Sequence, residues 1–151
     1  MWETFIESAI RHFRFLEMEF QFTRKPAKEP FAPYESDELE VMVYYDANGR
    51  HELDLRVSRL GDDPRKIPAV GMTEIMLLTD LHEAEKYQSP FPSTELSVEV
   101  EVHRLADLLK KYGSMILKND ARAFDRIQRL RREREKELGA PSPPLNRLRK
   151  T

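Results

Sequence analysis

Two stretches in which apolar and polar residues alternate, near 38–45 and 51–59, flank the turn-forming segment Asp46-Ala47-Asn48-Gly49-Arg50. A period of two places every second side chain on the same face of a strand. Two such strands joined by a short polar connection indicate an antiparallel hairpin. This hairpin constrains the fold most strongly, because its apolar face requires other elements to cover it.

The length of the hairpin loop decides which residues lie opposite each other. A two-residue Asn48-Gly49 turn would set Val43 opposite Asp54, whereas a loop of three residues sets Val43 opposite Leu53. The second pairing keeps apolar residues together, so we predict the three-residue loop. It requires Gly49 to adopt the left-handed conformation of a bulge.

The period of the apolar residues changes within the N-terminal segment. Residues 2–14 place apolar side chains three and four positions apart, which predicts an amphipathic helix. Residues 16–22 alternate with a period of two, which predicts the first strand. The segment Arg24–Pro33 contains three prolines, and we expect a loop there because proline lacks a backbone donor.

Two periods compete over residues 95–112. Leu96, Val98, Val100 and Val102 alternate as in a strand, while Val98, Val102 and further apolar residues recur as in a helix. We predict a helix that begins after Ser93 or Thr94 and ends at Gly113. A fourth strand over 95–102 is the alternative.

The remaining segments predict shorter elements. Thr73 is placed to cap a short helix, and prolines interrupt the chain over 88–92. Asp120 is a plausible N-cap of a last helix that runs to about Leu138, with Gly139 ending it.

These elements predict an α+β domain over residues 1–139, with an N-terminal helix, a three-stranded antiparallel meander and about three helices packed on one sheet face. The other sheet face would be solvated or docked to a partner. Residues 140–151 are rich in proline and cationic, with little to bury, and we expect them to be disordered unless a partner binds them.

Charge is distributed unevenly. Residues 120–151 hold ten Lys and Arg against five Asp and Glu, while residues 1–119 hold 15 against 22. An acidic body with a basic end indicates either a solvated, charge-paired helix or contact with nucleic acid through residues 120–151. The chain has no cysteine, no long apolar segment and an acidic residue at Glu3, so we expect a cytoplasmic protein.

The motifs of common enzymes are absent from the sequence. Five scattered glycines form neither a Walker loop nor a dinucleotide fingerprint, the four histidines have no metal-binding spacing, and no Gly-x-Ser-x-Gly elbow occurs. We therefore predict no catalytic residue, no metal and no cofactor.

One enzymatic alternative remains. Glu3 and Glu7 on the first helix, with Asp46, Glu52 and Asp54 on the hairpin, loosely resemble the metal-dependent nuclease core, in which carboxylates hold magnesium. Arg56 stands where that family has lysine. Polar positions on the wet face of a strand explain the hairpin residues equally well.

Several stretches carry a resemblance to another family. They are Pro33-Tyr34-Glu35-Ser36, Glu40-Val41-Met42-Val43-Tyr44-Tyr45-Asp46, Leu55-Arg56-Val57-Ser58-Arg59-Leu60, Leu105-Ala106-Asp107-Leu108-Leu109, Ile116-Leu117-Lys118-Asn119-Asp120 and Phe124. This pattern, over roughly residues 34–130, resembles small bacterial immunity proteins found beside polymorphic toxins, and their relatives. The resemblance implies a non-enzymatic protein that binds a cognate toxin domain and neutralises it by occlusion.

An acidic body suits a basic toxin partner, because complementary charge accelerates association. We take as candidate contacts the acids of strand and loop segments and one amphipathic tyrosine. They are Glu17, Glu19, Asp37, Glu38, Tyr44, Asp62 and Asp63. The alternatives are an adaptor that uses its basic C-terminal tail and a divergent metal-dependent nuclease. We expect no membrane partner.

Overall fold

A computed structural model describes residues 1–138 of the chain as an α+β fold. The elements are α1 (Trp2–His12), α2 (Arg14–Phe20), β1 (Thr23–Arg24), β2 (Phe31–Glu35), β3 (Leu39–Tyr45), β4 (Leu53–Arg59), β5 (Val70–Gly71), α3 (Met72–Leu77), α4 (Leu81–Lys86), α5 (Glu95–Tyr112), α6 (Ser114–Leu117) and α7 (Ala121–Glu137). The predicted class is confirmed. Gly139 and the predicted tail, residues 140–151, lie outside the described residues.

The sheet is larger than the predicted meander. Its five strands are all antiparallel and follow chain order, β1-β2-β3-β4-β5. Five helices follow β5 within the described residues, where about three were predicted. None of the helices described over residues 1–138 is long and apolar enough to cross a membrane.

The strand predicted over 16–22 is wrong, because helix α2 occupies most of that segment. Leu16 and Phe20 lie four positions apart and therefore share a helix face as readily as a strand face. Met18, between them, is 68% exposed. The helix ends at Gln21, which has the left-handed conformation (φ 57°), and the Phe22 N–H donates to the Leu16 carbonyl. A left-handed residue directly after the last turn is a common way for a helix to end.

The loop predicted over Arg24–Pro33 is also wrong in part, since it contains the second residue of β1 and the first three residues of β2. Pro33 sits within β2, opposite Met42. The Pro33 carbonyl accepts from the Lys25 N–H on the side away from β3. A residue's N–H and C=O point to the same side of a strand, so the donor that proline lacks would not have bonded β3.

The hairpin register differs from the prediction. Val43 pairs with Leu55, and Tyr45 pairs with Leu53, so the loop is longer than three residues. Because the change preserves the period of two, the predicted buried face is retained. His51 (φ 64°), and not Gly49, adopts the left-handed conformation.

Asp46 explains the longer loop. Its carboxylate accepts from the Arg50 N–H at 2.9 Å, and its carbonyl accepts from the His51 N–H at 2.9 Å. A Cβ atom at position 49 would overlap the Asp46 carboxylate and displace it, so Gly49 allows this close approach and does not serve a positive φ.

One face of the sheet, here called the inner face, forms the core. Its buried side chains are Ala32, Tyr34, Leu39, Val41, Val43, Tyr45, Leu53, Leu55, Val57 and Val70. Helices α1, α5 and α7 contribute buried residues to the same hydrophobic cluster. The Tyr34 hydroxyl donates to the Ala9 carbonyl of α1, and the Tyr45 hydroxyl to the Pro92 carbonyl. Both buried hydroxyls are therefore satisfied.

Residues 95–112 are helical, and the alternative strand is wrong. Val98 and Val102 are buried, whereas Leu96 is 75% exposed and Val100 is 53% exposed. The apparent alternation therefore arose from two exposed apolar residues between the buried ones. Thr94 accepts from the Ser97 N–H at 3.1 Å, and the Thr94 N–H donates to the Ser97 hydroxyl, so each residue satisfies the other.

The other predicted helix starts fare differently. Asp120 caps α7 as predicted, since its carboxylate accepts from the Arg122 N–H. Thr73 does not cap α3, which begins at Met72. A second short helix, α4, is capped by Asp80. Residues 88–92 contain neither helix nor strand, as expected from their prolines.

We predict that Thr94→Ala lowers the free energy of unfolding by about 1 kcal/mol, because the first turn of α5 loses its side-chain cap. Urea unfolding followed by circular dichroism measures the change. Ser93→Ala is the matched control, because no side-chain hydrogen bond of Ser93 is present among the described residues. Equal effects of the two substitutions would contradict the assigned cap.

Candidate protein-binding surface

The face of the sheet opposite the core, here called the outer face, carries the second set of alternating side chains. Its members are Phe31, Pro33 and Glu35 of β2, Glu40, Met42 and Tyr44 of β3, and Asp54, Arg56 and Ser58 of β4. Most are half-buried, which contrasts with the full burial of the inner face. The strand register arranges these nine side chains in three rows.

The first row consists of Phe31, Tyr44 and Asp54. We call it the aromatic row after its first two members. The rings of Phe31 and Tyr44 have centroids 6.4 Å apart, and Phe31 is 46% exposed. The Tyr44 hydroxyl donates to a Glu52 carboxylate oxygen at 2.5 Å. Burial, followed by this hydrogen bond, raises the pKa of Tyr44, so its hydroxyl stays protonated at neutral pH.

Asp54 is only 5% exposed although it belongs to the outer face. The segment Tyr87–Pro90 covers it. Its carboxylate accepts from the Ser89 hydroxyl at 2.5 Å, the Tyr87 hydroxyl at 3.2 Å and the Leu55 N–H at 2.8 Å. Burial and the nearby Asp54 charge raise the pKa of Tyr87.

These contacts make Asp54 the anchor of the segment. The Leu53 N–H donates to the Pro90 carbonyl and fixes the backbone of the segment beside β4. A buried carboxylate is tolerated because donors surround it.

The second row is Pro33, Met42 and Arg56, with Gly71 of β5 beyond it. The Arg56 guanidinium lies 3.4 Å from an Asp54 carboxylate oxygen and donates to the Leu55 carbonyl. A Cβ atom at Gly71 would be 3.1 Å from its Nη1. Arg56 therefore extends over Gly71, towards β5.

The third row places Glu35 directly opposite Glu40, with Ser58 next to them. Like charges in this position repel. Burial, and then the charge of Glu35, raises the pKa of Glu40. Neither glutamate forms an ion pair with another described side chain.

The structure brings together some of the residues predicted as contacts. Asp37 and Glu38 form the β2–β3 turn, and the loop with Asp62 and Asp63 lies beside it, since the Leu60 N–H donates to the Glu38 carbonyl. These four acids share one end of the sheet. Asp63 is 3.5 Å from the Arg65 guanidinium.

The other three predicted contacts lie elsewhere. Tyr44 is on the outer face, near the opposite end of β3. Glu17 and Glu19 are on α2, and not on a strand as predicted. Glu19 forms an ion pair with Lys110 of α5 at 3.4 Å.

Sequence reasoning missed Phe31, Pro33, Glu35, Glu40 and Met42 as surface candidates. The alternation of β3 carries the signal for Glu40 and Met42, since both alternate with buried valines. Phe31 and Pro33 carried no such signal, because the prolines of Arg24–Pro33 predicted a loop there. Glu35 lies between that segment and the strand predicted near 38–45.

The carboxylates of the nuclease alternative are separated by the sheet. Helix α1, which carries Glu3 and Glu7, packs on the inner face, where Phe5 contacts the Tyr45 ring. Asp54 lies on the outer face. Over residues 1–138, no group of three or more His, Asp or Glu side chains is arranged to hold a metal ion.

Two arginines of the basic segment, residues 120–151, form contacts with other residues of the chain. Arg131 of α7 donates to the Glu74 carboxylate at 2.6 and 2.7 Å and to the carbonyls of Pro68 and Ala69. Arg122 donates to Asp120. These two cations stabilise the attachment of α7 and its N-terminus.

No protein-family model, no curated protein and no solved structure matches this chain.

We predict that Asp54→Ala lowers the free energy of unfolding by about 2–3 kcal/mol, because the half-buried Tyr87 and Ser89 hydroxyls lose a charged acceptor. Hydrogen exchange of residues 87–92 should accelerate at the same time. Asp37→Ala, at an exposed turn position, should change stability little. Loss of a magnesium-dependent nuclease activity without loss of stability would instead favour the catalytic alternative for Asp54.

A pair of histidines joins α1 to α5. The rings of His12 and His103 are stacked, with centroids 4.2 Å apart, and His12 Nε2 is buried without a hydrogen-bond partner among the described residues. Burial and the adjacent His103 and Arg11 lower the pKa of His12, against the opposing effect of Glu99 and Asp107.

Because the folded pKa of His12 lies below its unfolded value of about 6.5, the unfolded state binds the proton more readily. We predict that this contribution to stability is present above pH 6.5 and is lost as the pH falls through the folded pKa. Urea unfolding between pH 7.5 and 5, compared for wild type and His12→Gln, measures it. His82→Gln, at an exposed position of α4, is the control. Parallel pH profiles for all three proteins would contradict the assignment.

Proposed function

We propose that this chain is a non-enzymatic protein-binding module, of the immunity type, that binds a cognate toxin domain in the bacterial cytoplasm and neutralises it. The observation that supports the proposal is that helices cover one face of the sheet and leave the other partly exposed. The inner face is buried against helices, while the outer face presents half-exposed Phe31, Met42 and Tyr44 beside acidic side chains.

Aromatic residues and methionine are enriched at protein interfaces, where they contribute large contact areas. On the outer face they lie on paired strands, and Tyr44 is held by its hydrogen bond to Glu52. A surface positioned in this way needs little ordering when a partner binds, which favours affinity.

The acidic character of the body also supports this proposal. Residues 1–119 carry seven more acidic than basic side chains. Such a surface attracts a basic partner over distances of about a Debye length, near 10 Å at 0.1 M salt. Toxin domains that act on nucleic acids would satisfy this requirement if their active surfaces are basic.

The test begins with the tagged full chain, expressed and purified from its native host. We expect one protein to co-purify at a one-to-one ratio, as judged by native mass spectrometry. Expressed alone in a laboratory bacterium, that protein should arrest growth, and co-expression of the chain should restore it. A co-purified protein that is harmless on its own would contradict neutralisation, and recovery of nucleic acid alone would contradict protein binding.

A chain that ends at residue 139 is the matched control in this experiment. It should still restore growth if the binding surface lies on the sheet. Loss of capture by this shortened chain, with its helical content unchanged, would favour the adaptor alternative.

A further inference from the structure

We propose that the outer face is the docking surface of this chain, and that its occupant is a protein segment presenting arginine or lysine beside apolar side chains. The inference rests on the proposed function and names the surface and the partner chemistry. It follows from the order of the three rows across β2, β3 and β4.

The apolar part of the surface lies at its centre. Met42 on β3 is flanked by Pro33 on β2, and the next row contains Phe31 and Tyr44. With a rise of about 3.3 Å per residue, the acidic row lies about 13 Å along β3 from the aromatic row. One short segment of a partner can therefore contact both rows.

The acidic part of the surface lacks a counter-charge in the described part of the chain. Some acids elsewhere in the described residues have a cationic partner, as in Glu74 with Arg131, Glu99 with Arg11 and Glu19 with Lys110. Glu35 and Glu40 face each other without such a partner.

Among the nine outer-face side chains of β2, β3 and β4, Arg56 is the cation, but its contacts lie on the β4 side, away from Glu35 and Glu40. They are made to Asp54 and to the Leu55 carbonyl, and the side chain extends over Gly71. The β2–β3 half of the outer face is therefore acidic, and a guanidinium or ammonium group from a partner would complement it.

Repulsion between Glu35 and Glu40 costs the free protein stability, and a bound cation would remove this cost. The same substitution should therefore change stability and binding in opposite directions. This behaviour is typical of residues kept for function against stability. A purely structural pair would lose stability when it is neutralised.

The test uses the full chain and a defined probe, a hexapeptide that alternates leucine and arginine, with a leucine–glutamate hexapeptide for comparison. We expect the arginine peptide to shift amide resonances of residues 31–35, 40–44 and 56–58. The double variant Glu35→Gln/Glu40→Gln should weaken binding about fivefold, from two partly exposed charge contacts. Its melting temperature should rise by about 1–3 °C.

Glu3→Gln/Glu7→Gln is the control, because it makes the same change in net charge at exposed positions of α1, over the inner face. It should leave peptide affinity within about 1.5-fold of the wild-type value, since exposed charges on the opposite side of the sheet are screened by salt. Phe31→Ala, at a half-exposed position, should weaken binding without unfolding the chain.

Three outcomes would overturn the inference. Equal binding of the two peptides would show that the partner needs no positive charge. Equal weakening of binding by both glutamate double variants would show that Glu35 and Glu40 do not form the site. Self-association of the chain through the same resonances would identify a second copy as the occupant. The proposed function is tested separately: if the chain restores growth and Glu35→Gln/Glu40→Gln does so equally well, neutralisation stands and this docking surface fails.

Discussion

The antiparallel pairing of β3 with β4 is the interaction on which the rest of the structure depends. Val43 opposite Leu55 and Val41 opposite Val57 form a continuous apolar surface at the centre of the sheet. Helices α1 and α5 cover this surface, and their mutual contact includes the stacked histidines. The same pairing fixes the opposite face, because side chains alternate strictly along each strand. Burial of the inner face therefore determines which residues reach the outer one.

Local signals in the sequence predicted the elements whose stabilising contacts are local. Thr94 and Asp120 cap their helices through residues two or three positions away, and the alternation of β3 and β4 lies within single strands. The errors arose where one pattern fits two structures. Leu16 and Phe20 fit either a helix or a strand, and the choice depended on tertiary burial.

The candidate surface was harder to predict, because its defining contacts are distant in sequence. Asp54 is bound by Tyr87 and Ser89, which lie 33 and 35 positions away, and no periodicity indicates such contacts. Glu35 faces Glu40 only because β2 forms despite Pro33. The amphipathic character of Tyr44 made it a candidate contact from the sequence, whereas Glu35 and Glu40 become candidates only through the strand register.

The carboxylates of the outer face fall into two groups, Asp54 on β4 and the pair Glu35 and Glu40 on β2 and β3, which differ in their hydrogen-bond partners. Asp54 is surrounded by donors from its own chain, and its role in attaching the segment Tyr87–Pro90 is complete within the monomer. Glu35 and Glu40 repel each other at the other end of the face, and burial opposes the ionisation of Glu40. Satisfied buried groups stabilise a fold, whereas a repelling pair costs stability that an approaching cation would restore. In the proposed docking mode, the β4 side of the outer face serves stability and the β2–β3 side serves partner recognition.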